Sequence, residues 1–157
     1  VREPVLKDSD LKILNELKSL NIEEKQELIN KIKELAKKYN TAYSDNYYDL
    51  LRYYLIRDKK KFGRVTPLIE DKEVKEIICK GANKFLLIKY KNKEDMQTNI
   101  VFDSDKQINI FLNNIAEKTK QEFSDAKPFL NVQFNDMNIN GNIETQFLKP
   151  KFVIIKT

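Results

Sequence analysis

The chain has 157 residues, of which 41% are hydrophobic and 34% are charged, and its formal net charge is +5. This length and composition indicate a soluble, heavily charged protein of one ordinary domain, or of a small domain with a helical extension. The absence of histidine and the presence of only three glycines exclude a Ser-His-Asp triad, a histidine-containing zinc site and the GxxxxGK(S/T) loop of Walker A. No apolar run approaches the roughly 20 residues of a membrane helix, and the N-terminus lacks a signal-peptide core.

The first 62 residues have the pattern of three helices. The first helix is predicted to begin at a cap on Asp8 or Ser9. Its expected inward face carries Leu11, Leu14, Leu17 and Leu20. The second helix is predicted to begin at a cap on Asn21, with Glu24 at its third position. Its apolar stripe has the spacing of one helical face and consists of Leu28, Ile32, Leu35 and Tyr39.

The third helix is predicted over about 45–61 and ends at Gly63. Its expected inward residues are Tyr47, Leu51, Tyr54 and Leu55. Its last turn and the residues after it carry the basic cluster of Arg57, Lys59, Lys60, Lys61 and Arg64. Cations at this end complement the helix dipole, which favours a solvated helix end over a site for phosphate, anionic lipid or nucleic acid. The tyrosines of this region have the spacing of a core or docking face, with a recognition stripe as the alternative.

A short helix is predicted after Pro67, with Asp71 as its cap. Its apolar residues would be Val74, Ile77 and Ile78. Cys79 continues this run and is expected to be buried, with a reactive thiol as the alternative. The acidic residues of this segment alternate with lysines, which favours an exposed face over a metal site.

A hairpin and an amphipathic helix follow. Residues 85–91 and 97–102 alternate as two strands. Ser104 and Gln107 form a capping box, and the apolar residues after it recur at helical spacing. Three more strands are predicted at about 129–134, 139–147 and 152–156. This order predicts an α+β fold, in which N-terminal helices precede an antiparallel or mixed sheet with a helix packed on one face. Residues 1–45 are expected to form a helical extension, and 46–157 the α+β domain.

Several short motifs recur in a fixed order from about Tyr47 to the C-terminus. They are YYLIRD (53–58), Gly63 with PLIED (67–71), EIICKGAN (76–83), TNIVFDS (98–104) and SDAKP (124–128). Their order and spacing resemble the type II/type IV secretion ATPase superfamily, in particular the archaeal branch that drives archaella, pili and related secretion systems.

The resemblance implies a role without catalysis. In that family the matching region precedes a RecA-like motor core, docks on the motor domain of the same or a neighbouring subunit in a homo-hexamer, and moves as a rigid body during the ATP cycle. ATP and Mg²⁺ would bind in the core beyond Thr157, and this chain would hold no cofactor or metal and bind no nucleic acid. We expect a cytoplasmic location at the membrane periphery, through a membrane platform protein. The alternative is a stand-alone adaptor or binding module derived from such an ATPase.

Two positions depart from the family pattern. Ile139 and Ile155 stand where the family has the arginines of a PDGSRV-like loop and of a final F.IRK strand, and arginine is well suited to phosphate. Lys156 is the one positive group left there, and no arginine follows Arg64. The resemblance therefore implies that the domain's contact with ATP is weakened or missing. The candidate residues for docking a subunit or membrane partner are Arg57, Lys60, Arg64 and Tyr54.

Overall fold

A computed structural model describes residues 4–91 and 94–157, apart from the side chain of Lys60. The chain divides into two compact units, Val1–Thr66 and Pro67–Thr157. The described part of the first is helical, and that of the second holds a six-stranded antiparallel sheet and one long helix. The predicted α+β class is therefore confirmed, whereas the division of the chain at residue 45 stays a prediction.

The first unit is built from the helices α1 (Asp8–Ser19), α2 (Lys25–Lys38) and α3 (Asp45–Lys60), followed by a 3-10 turn at Gly63–Val65. Their apolar stripes meet in one core, which consists of Ile13, Leu14, Leu17, Ile32, Leu35, Tyr48, Leu51, Tyr54 and Leu55. Each helix contributes residues spaced about one turn apart, because only one stripe of each can face the other two.

The helix starts differ from the predicted ones. At α1 the carboxylate of Asp10 accepts the backbone N–H of Lys7 at 2.8 Å, so that Lys7, and neither Asp8 nor Ser9, is the residue before the first turn. At α2 the predicted cap, Asn21, was three residues early, because Glu24 is the residue before the first turn. Glu24 has extended backbone angles, φ −77° and ψ 131°, which are incompatible with a helix capped at Asn21.

In α1 and α3 one buried residue differs from the predicted apolar stripe. Leu11 is 45% exposed, and Ile13 is fully buried in its place. A repeat of three residues drifts away from the 3.6-residue period, so the first of the predicted leucines leaves the core face. In α3 it is Tyr48 that lies in the core, while the hydroxyl of Tyr47 donates to the carboxylate of Asp10 at 2.8 Å.

The second unit contains the short helix α4 (Thr66–Glu70), which begins at its boundary, the long helix α5 (Asp105–Thr119) and six strands. The strands are β1 (Val74–Cys79), β2 (Phe85–Tyr90), β3 (Asp95–Val101), β4 (Phe129–Phe134), β5 (Met137–Asn142) and β6 (Lys151–Lys156). They form one sheet in the order β3-β2-β1-β6-β5-β4, with every neighbouring pair antiparallel. The last strand of the chain therefore lies in the middle of the sheet.

The segment predicted as a short helix after Asp71 is strand β1. Its pairing with β2 shifts by one residue between Val74 and Glu76, which is a β-bulge. The bulge turns Val74 and Ile77 to the same face, where both are fully buried. Residues three apart normally share a face in a helix and not in a strand. The bulge therefore produced the helical spacing that the sequence presents.

Strand β5 begins and ends earlier than the predicted 139–147. Phe134 pairs with Met137, so β4 and β5 are joined by a two-residue turn in which Asn135 has a positive φ of 51°. At the other end the side-chain amide of Asn142 donates to the carbonyl oxygens of Ile143 and Lys149, at 3.1 and 2.8 Å. These bonds close the loop that follows and end the strand.

Helix α5 covers one face of the sheet. Its predicted cap is confirmed, because Ser104 Oγ accepts the backbone N–H of Gln107 at 3.3 Å. The buried face of the helix consists of Ile108, Phe111, Leu112, Ile115 and Ala116, as the spacing predicted. The ring of Phe111 lies 4.8 Å from that of Phe152 in β6, so the helix packs directly over the central strands.

Candidate functional site

The docking candidates of α3 lie inside the helical unit. Tyr54 is 3% exposed and Arg57 is 7% exposed. The guanidinium of Arg57 lies 4.5 Å from the centre of the Tyr54 ring, and its Nε donates to Asp58 Oδ1 at 2.6 Å. Tyr54 and Arg57 therefore stabilise the first unit, through a cation–π contact between them and an ion pair of Arg57 with Asp58.

The remaining docking candidates lie at the end of α3 and in the 3-10 turn that follows it. Arg64 is exposed in the 3-10 turn, and the side chain of Lys60 lies outside the described residues. Elsewhere in the basic cluster, Lys59 Nζ donates to the carbonyl oxygen of Leu20 at 2.6 Å. A docking role for these four residues therefore stays a prediction.

The two isoleucines at the family's arginine positions lie on opposite faces of the sheet. Ile139 pairs with Ile154 across β5 and β6, and both are fully buried. Ile155 follows Ile154 along the strand, so it points to the other face, where it is 43% exposed. The described structure does not bring the two positions into one site.

Lys156 ties the end of β6 to the segment before β1. Its Nζ donates to the carbonyl oxygen of Asp71 at 2.6 Å and reaches that of Leu68 at 3.5 Å. Burial lowers the pKa of the Lys156 ammonium. The group is thus held by backbone oxygens and is not displayed towards solvent as a phosphate ligand would be.

We predict that ATP does not bind this chain with micromolar affinity. The two isoleucines offer no charged donor, and moving Lys156 onto phosphate would leave the carbonyls of Asp71 and Leu68 without their donor. Isothermal titration calorimetry with ATP should therefore give no saturable micromolar binding, and Lys156→Met should change nothing in that titration. Micromolar binding that disappears in Lys156→Met would contradict the prediction.

Asp71 anchors a second polar contact at this end of the sheet. Its carboxylate accepts the backbone N–H of Glu73 at 3.0 Å and the hydroxyl of Tyr90 at 2.9 Å. The Glu73 N–H, together with the Tyr90 hydroxyl, lowers the pKa of Asp71. The same contact with the Asp71 carboxylate raises the pKa of Tyr90. Asp71 thus fixes the turn into β1 and is not a free carboxylate.

A pH dependence follows from the lowered pKa of Asp71. A carboxyl whose pKa is lower in the folded than in the unfolded chain stabilises the fold above the unfolded value, and this contribution is lost as the pH falls through the folded value. We expect Asp71→Asn to lower the free energy of unfolding by about 1 kcal/mol at pH 7, and by progressively less below about pH 4. Urea unfolding of both proteins at a series of pH values measures this; a difference that grows in acid would contradict it.

The described residues contain neither a cluster of metal ligands nor a membrane-spanning helix. Within residues 4–91 and 94–157 there is no group of three His, Cys, Asp or Glu side chains that could hold a metal ion, and the acidic side chain of Glu76 pairs with Lys89 at 2.9 Å. No described helix has the length and hydrophobicity to span a bilayer. The predicted burial of Cys79 is confirmed, since it is 1% exposed, and burial raises the pKa of its thiol, which disfavours the reactive thiolate.

A shallow groove lies on the face of the sheet opposite α5; we call it the far-face groove. The residues that line it come from four neighbouring strands and from the residue after β1, and they include Ile78, Lys80, Phe129, Asn131, Asn140, Asn142, Lys151 and Val153. Ile78 pairs with Val153 at its centre, and Asn131 pairs with Asn140 beside them. Phe129 is 68% exposed at the sheet edge. The groove thus combines an apolar floor, amides and two cations.

No sequence motif indicates this groove. Its residues are separated by up to 75 positions, from Ile78 to Val153, and only the strand order brings them together. A local signal exists in the alternation of Phe129, Asn131 and Gln133 with buried residues along β4. That alternation indicates one exposed face, but it does not say which strand lies beside it.

Comparisons with known proteins give distant similarities. No family model matches the chain. The uncharacterized protein MJ1288 of Methanocaldococcus jannaschii is 26% identical over 149 residues, and the match covers 87% of this chain and 59% of that protein. The chain thus spans about three fifths of the length of this curated relative. The VirB11 ATPase of the Brucella suis type IV secretion system, solved in complex with sulphate, is similar over 68% of this chain and 31% of its own, with 13% identity and a TM-score of 0.49.

Proposed function

We propose that this chain is the non-catalytic N-terminal assembly and coupling domain of a hexameric secretion, pilus or archaellum motor ATPase. It docks on the RecA-like motor domain of the same or a neighbouring subunit and transmits ATP-driven movement. ATP and Mg²⁺ bind in the motor core of the parent protein, and this chain alone is not an enzyme. The proposal includes a cytoplasmic position at the membrane periphery, through a membrane platform protein, and no nucleic-acid partner.

The observation that carries the proposal is the place of the motif residues in the fold. The EIICKGAN and TNIVFDS segments meet at one corner of the sheet, where the backbone N–H of Asn83 donates to the carbonyl oxygen of Phe102 at 2.7 Å. Gly81 has a φ of 130° and Asn83 a φ of 56°, a backbone region that favours glycine and asparagine. Two residues further along, Ser104 caps α5.

The positions of these residues in the fold explain why the motifs occur together in the sequence. The turn needs Gly81 and Asn83 for its backbone, and the helix after β3 needs Ser104 for its cap. Motif residues that together form one corner of the sheet are stronger support for a family resemblance than the same residues in unrelated loops would be. This supports the idea that the chain shares its framework with the family whose motifs it carries.

The experiment uses the intact gene product purified from its source cells. We expect it to hydrolyse ATP and to sediment as a ring of six subunits when ATP and Mg²⁺ are present. The 157-residue chain alone should hydrolyse no ATP, and it should bind a separately purified motor core of the same protein. An intact product that neither hydrolyses ATP nor assembles would contradict the proposal.

A second candidate function is a stand-alone adaptor or binding module that derives from such an ATPase. This candidate is favoured by the fraction of the relative's length that the match covers. The match covers 59% of MJ1288, so the unmatched remainder of that protein is shorter than the matched part and leaves little length for a complete motor core. If this candidate is right, the intact product will bind a partner protein without hydrolysing ATP.

A further inference from the structure

Two lysines of the far-face groove lie beside each other, and neither has a counter-ion among the described residues. Cys79, the last residue of β1, pairs with Phe152, so Lys80, just after β1, faces Lys151, the first residue of β6. Both are exposed, and neither forms an ion pair with a described residue. Like charges directly opposite in a sheet repel each other. The groove therefore carries an uncompensated positive charge that an anionic ligand would relieve.

Some other lysines of the same unit are ion-paired. Lys89 contacts Glu76 at 2.9 Å, and Lys149 contacts Asp105 and Glu144, each at 3.0 Å. Lys72 and Lys106, like the groove lysines, form no ion pair with a described residue. The groove lysines are distinguished by their position, because they face each other beside an apolar floor.

The rest of the groove offers contacts that are not ionic. Ile78 and Val153 form a half-buried apolar floor. Phe129 extends this apolar surface at the sheet edge. The opposed amides of Asn131 and Asn140, both exposed, can donate to and accept from a peptide backbone.

We propose that the far-face groove binds an extended acidic segment of a partner protein, in which the side chains that face the groove are carboxylates at one end and apolar side chains after them. The carboxylates would meet Lys80 and Lys151, and the apolar side chains would cover Ile78, Val153 and Phe129. Successive side chains of an extended chain point to opposite sides, so the carboxylates and the apolar side chains that face the groove are separated by an even number of positions. This inference does not depend on the proposed motor function.

The charges of the second unit favour a protein segment over nucleic acid. The next row of the same face carries Glu76 and Asp95, opposite Lys89, and the unit has no arginine, since none follows Arg64. A nucleic-acid surface usually concentrates positive charge along the path of the phosphates. Here the cations are confined to one end of the groove, which is enough for a short acidic segment.

The test measures peptide binding to the 157-residue chain by fluorescence anisotropy. The probe is a labelled peptide of about 10 residues that would span about 33 Å when extended. Its alternate positions carry glutamates in one half and leucines in the other, with serine between them. The comparison probes are the same peptide with lysine in place of glutamate, and single-stranded oligothymidine. We expect the acidic peptide alone to bind, with a dissociation constant below about 1 mM.

Variants of the chain test whether the acidic peptide binds in the far-face groove. The double variant Lys80→Glu/Lys151→Glu should weaken binding of the acidic peptide at least about tenfold, because attraction becomes repulsion. The charge-matched control Lys72→Glu/Lys106→Glu changes two exposed lysines outside the groove and should weaken it much less. Phe129→Ala should weaken it without a change of net charge, and circular dichroism checks that every variant is folded.

Three results would overturn the proposal. They are the absence of binding by the acidic peptide, an equal loss in the groove variant and the control variant, and preferential binding of oligothymidine through Lys80 and Lys151. The last would assign the groove to single-stranded nucleic acid. A supporting result also requires that the side-chain amide signals of Asn131 and Asn140 shift in the nuclear magnetic resonance spectrum when the acidic peptide is added.

Discussion

Replacing Phe152 by alanine is expected to lower the free energy of unfolding by about 3 to 5 kcal/mol. Phe152 lies in the central strand β6 and is 1% exposed. Its ring lies 5.8 Å from that of Phe102 and 4.8 Å from that of Phe111, so the three rings connect the sheet with α5. Removing the middle ring leaves a cavity that the neighbouring strands cannot close, because both are held in register.

Urea unfolding followed by circular dichroism measures this loss. Phe129→Ala is the matched control, because it removes the same side chain at a position that is 68% exposed, and it should cost less than about 1 kcal/mol. If Phe152→Ala does not fold, Phe152→Leu keeps most of the apolar volume and gives a measurable intermediate loss. Equal losses at Phe152 and Phe129 would contradict the described packing.

Gly141→Ala is expected to lower the free energy of unfolding by about 1 to 3 kcal/mol. A Cβ atom at Gly141 would lie 2.9 Å from Leu112 Cδ2, 3.0 Å from the carbonyl oxygen of Lys151 and 3.1 Å from Phe152 Cβ. The end of the leucine side chain can move, but the oxygen and the Cβ atom belong to the central strand and cannot. Glycine at this position lets α5 approach the sheet closely.

The control is Asn140→Ala, at the preceding position of the same strand, where the side chain is exposed on the opposite face. It should change the free energy of unfolding by less than about 0.5 kcal/mol. Adding Leu112→Val to Gly141→Ala should recover only part of the loss, since the backbone contact remains. A Gly141→Ala protein as stable as the parent chain would contradict the close packing of α5 on β5.

Local signals were sufficient for much of the fold. The cap at Ser104 and the stripe from Ile108 to Ala116 define α5, because an amphipathic helix carries its period and its start within a few residues. The alternation in 85–91 likewise identified β2 and its buried residues Leu86 and Ile88. These features depend on neighbours in sequence, and so sequence is enough to find them.

Features set by tertiary pairing could not be predicted in this way. The bulge in β1 depends on its register with β2, and it places Val74 and Ile77 on one face at the spacing that is typical of a helix. The start of α1 depends on Asp10, whose carboxylate reaches back to Lys7 and also accepts from Tyr47, 37 residues away. Helix propensity alone does not distinguish such a carboxylate from an exposed one.

The site residues show the same limit. The sequence identifies Ile139 and Ile155 as departures from the arginine pattern, but the pairing of Ile139 with Ile154 is needed to place the two on opposite faces. The far-face groove requires the strand order β1-β6-β5-β4, in which residues distant along the chain become neighbours. Hydrophobic periodicity contains no information on that order.

The intact mass of the native gene product in its source cells decides whether this chain is one domain of a larger motor ATPase, as proposed. Because a motor core is at least another domain of similar size, we expect a mass about two to three times the 18.6 kDa of this chain, or more. A mass near 18.6 kDa would contradict it. The chain would then be a stand-alone module, and the isoleucines at positions 139 and 155 would indicate that it derives from a motor ATPase but lacks the catalytic core.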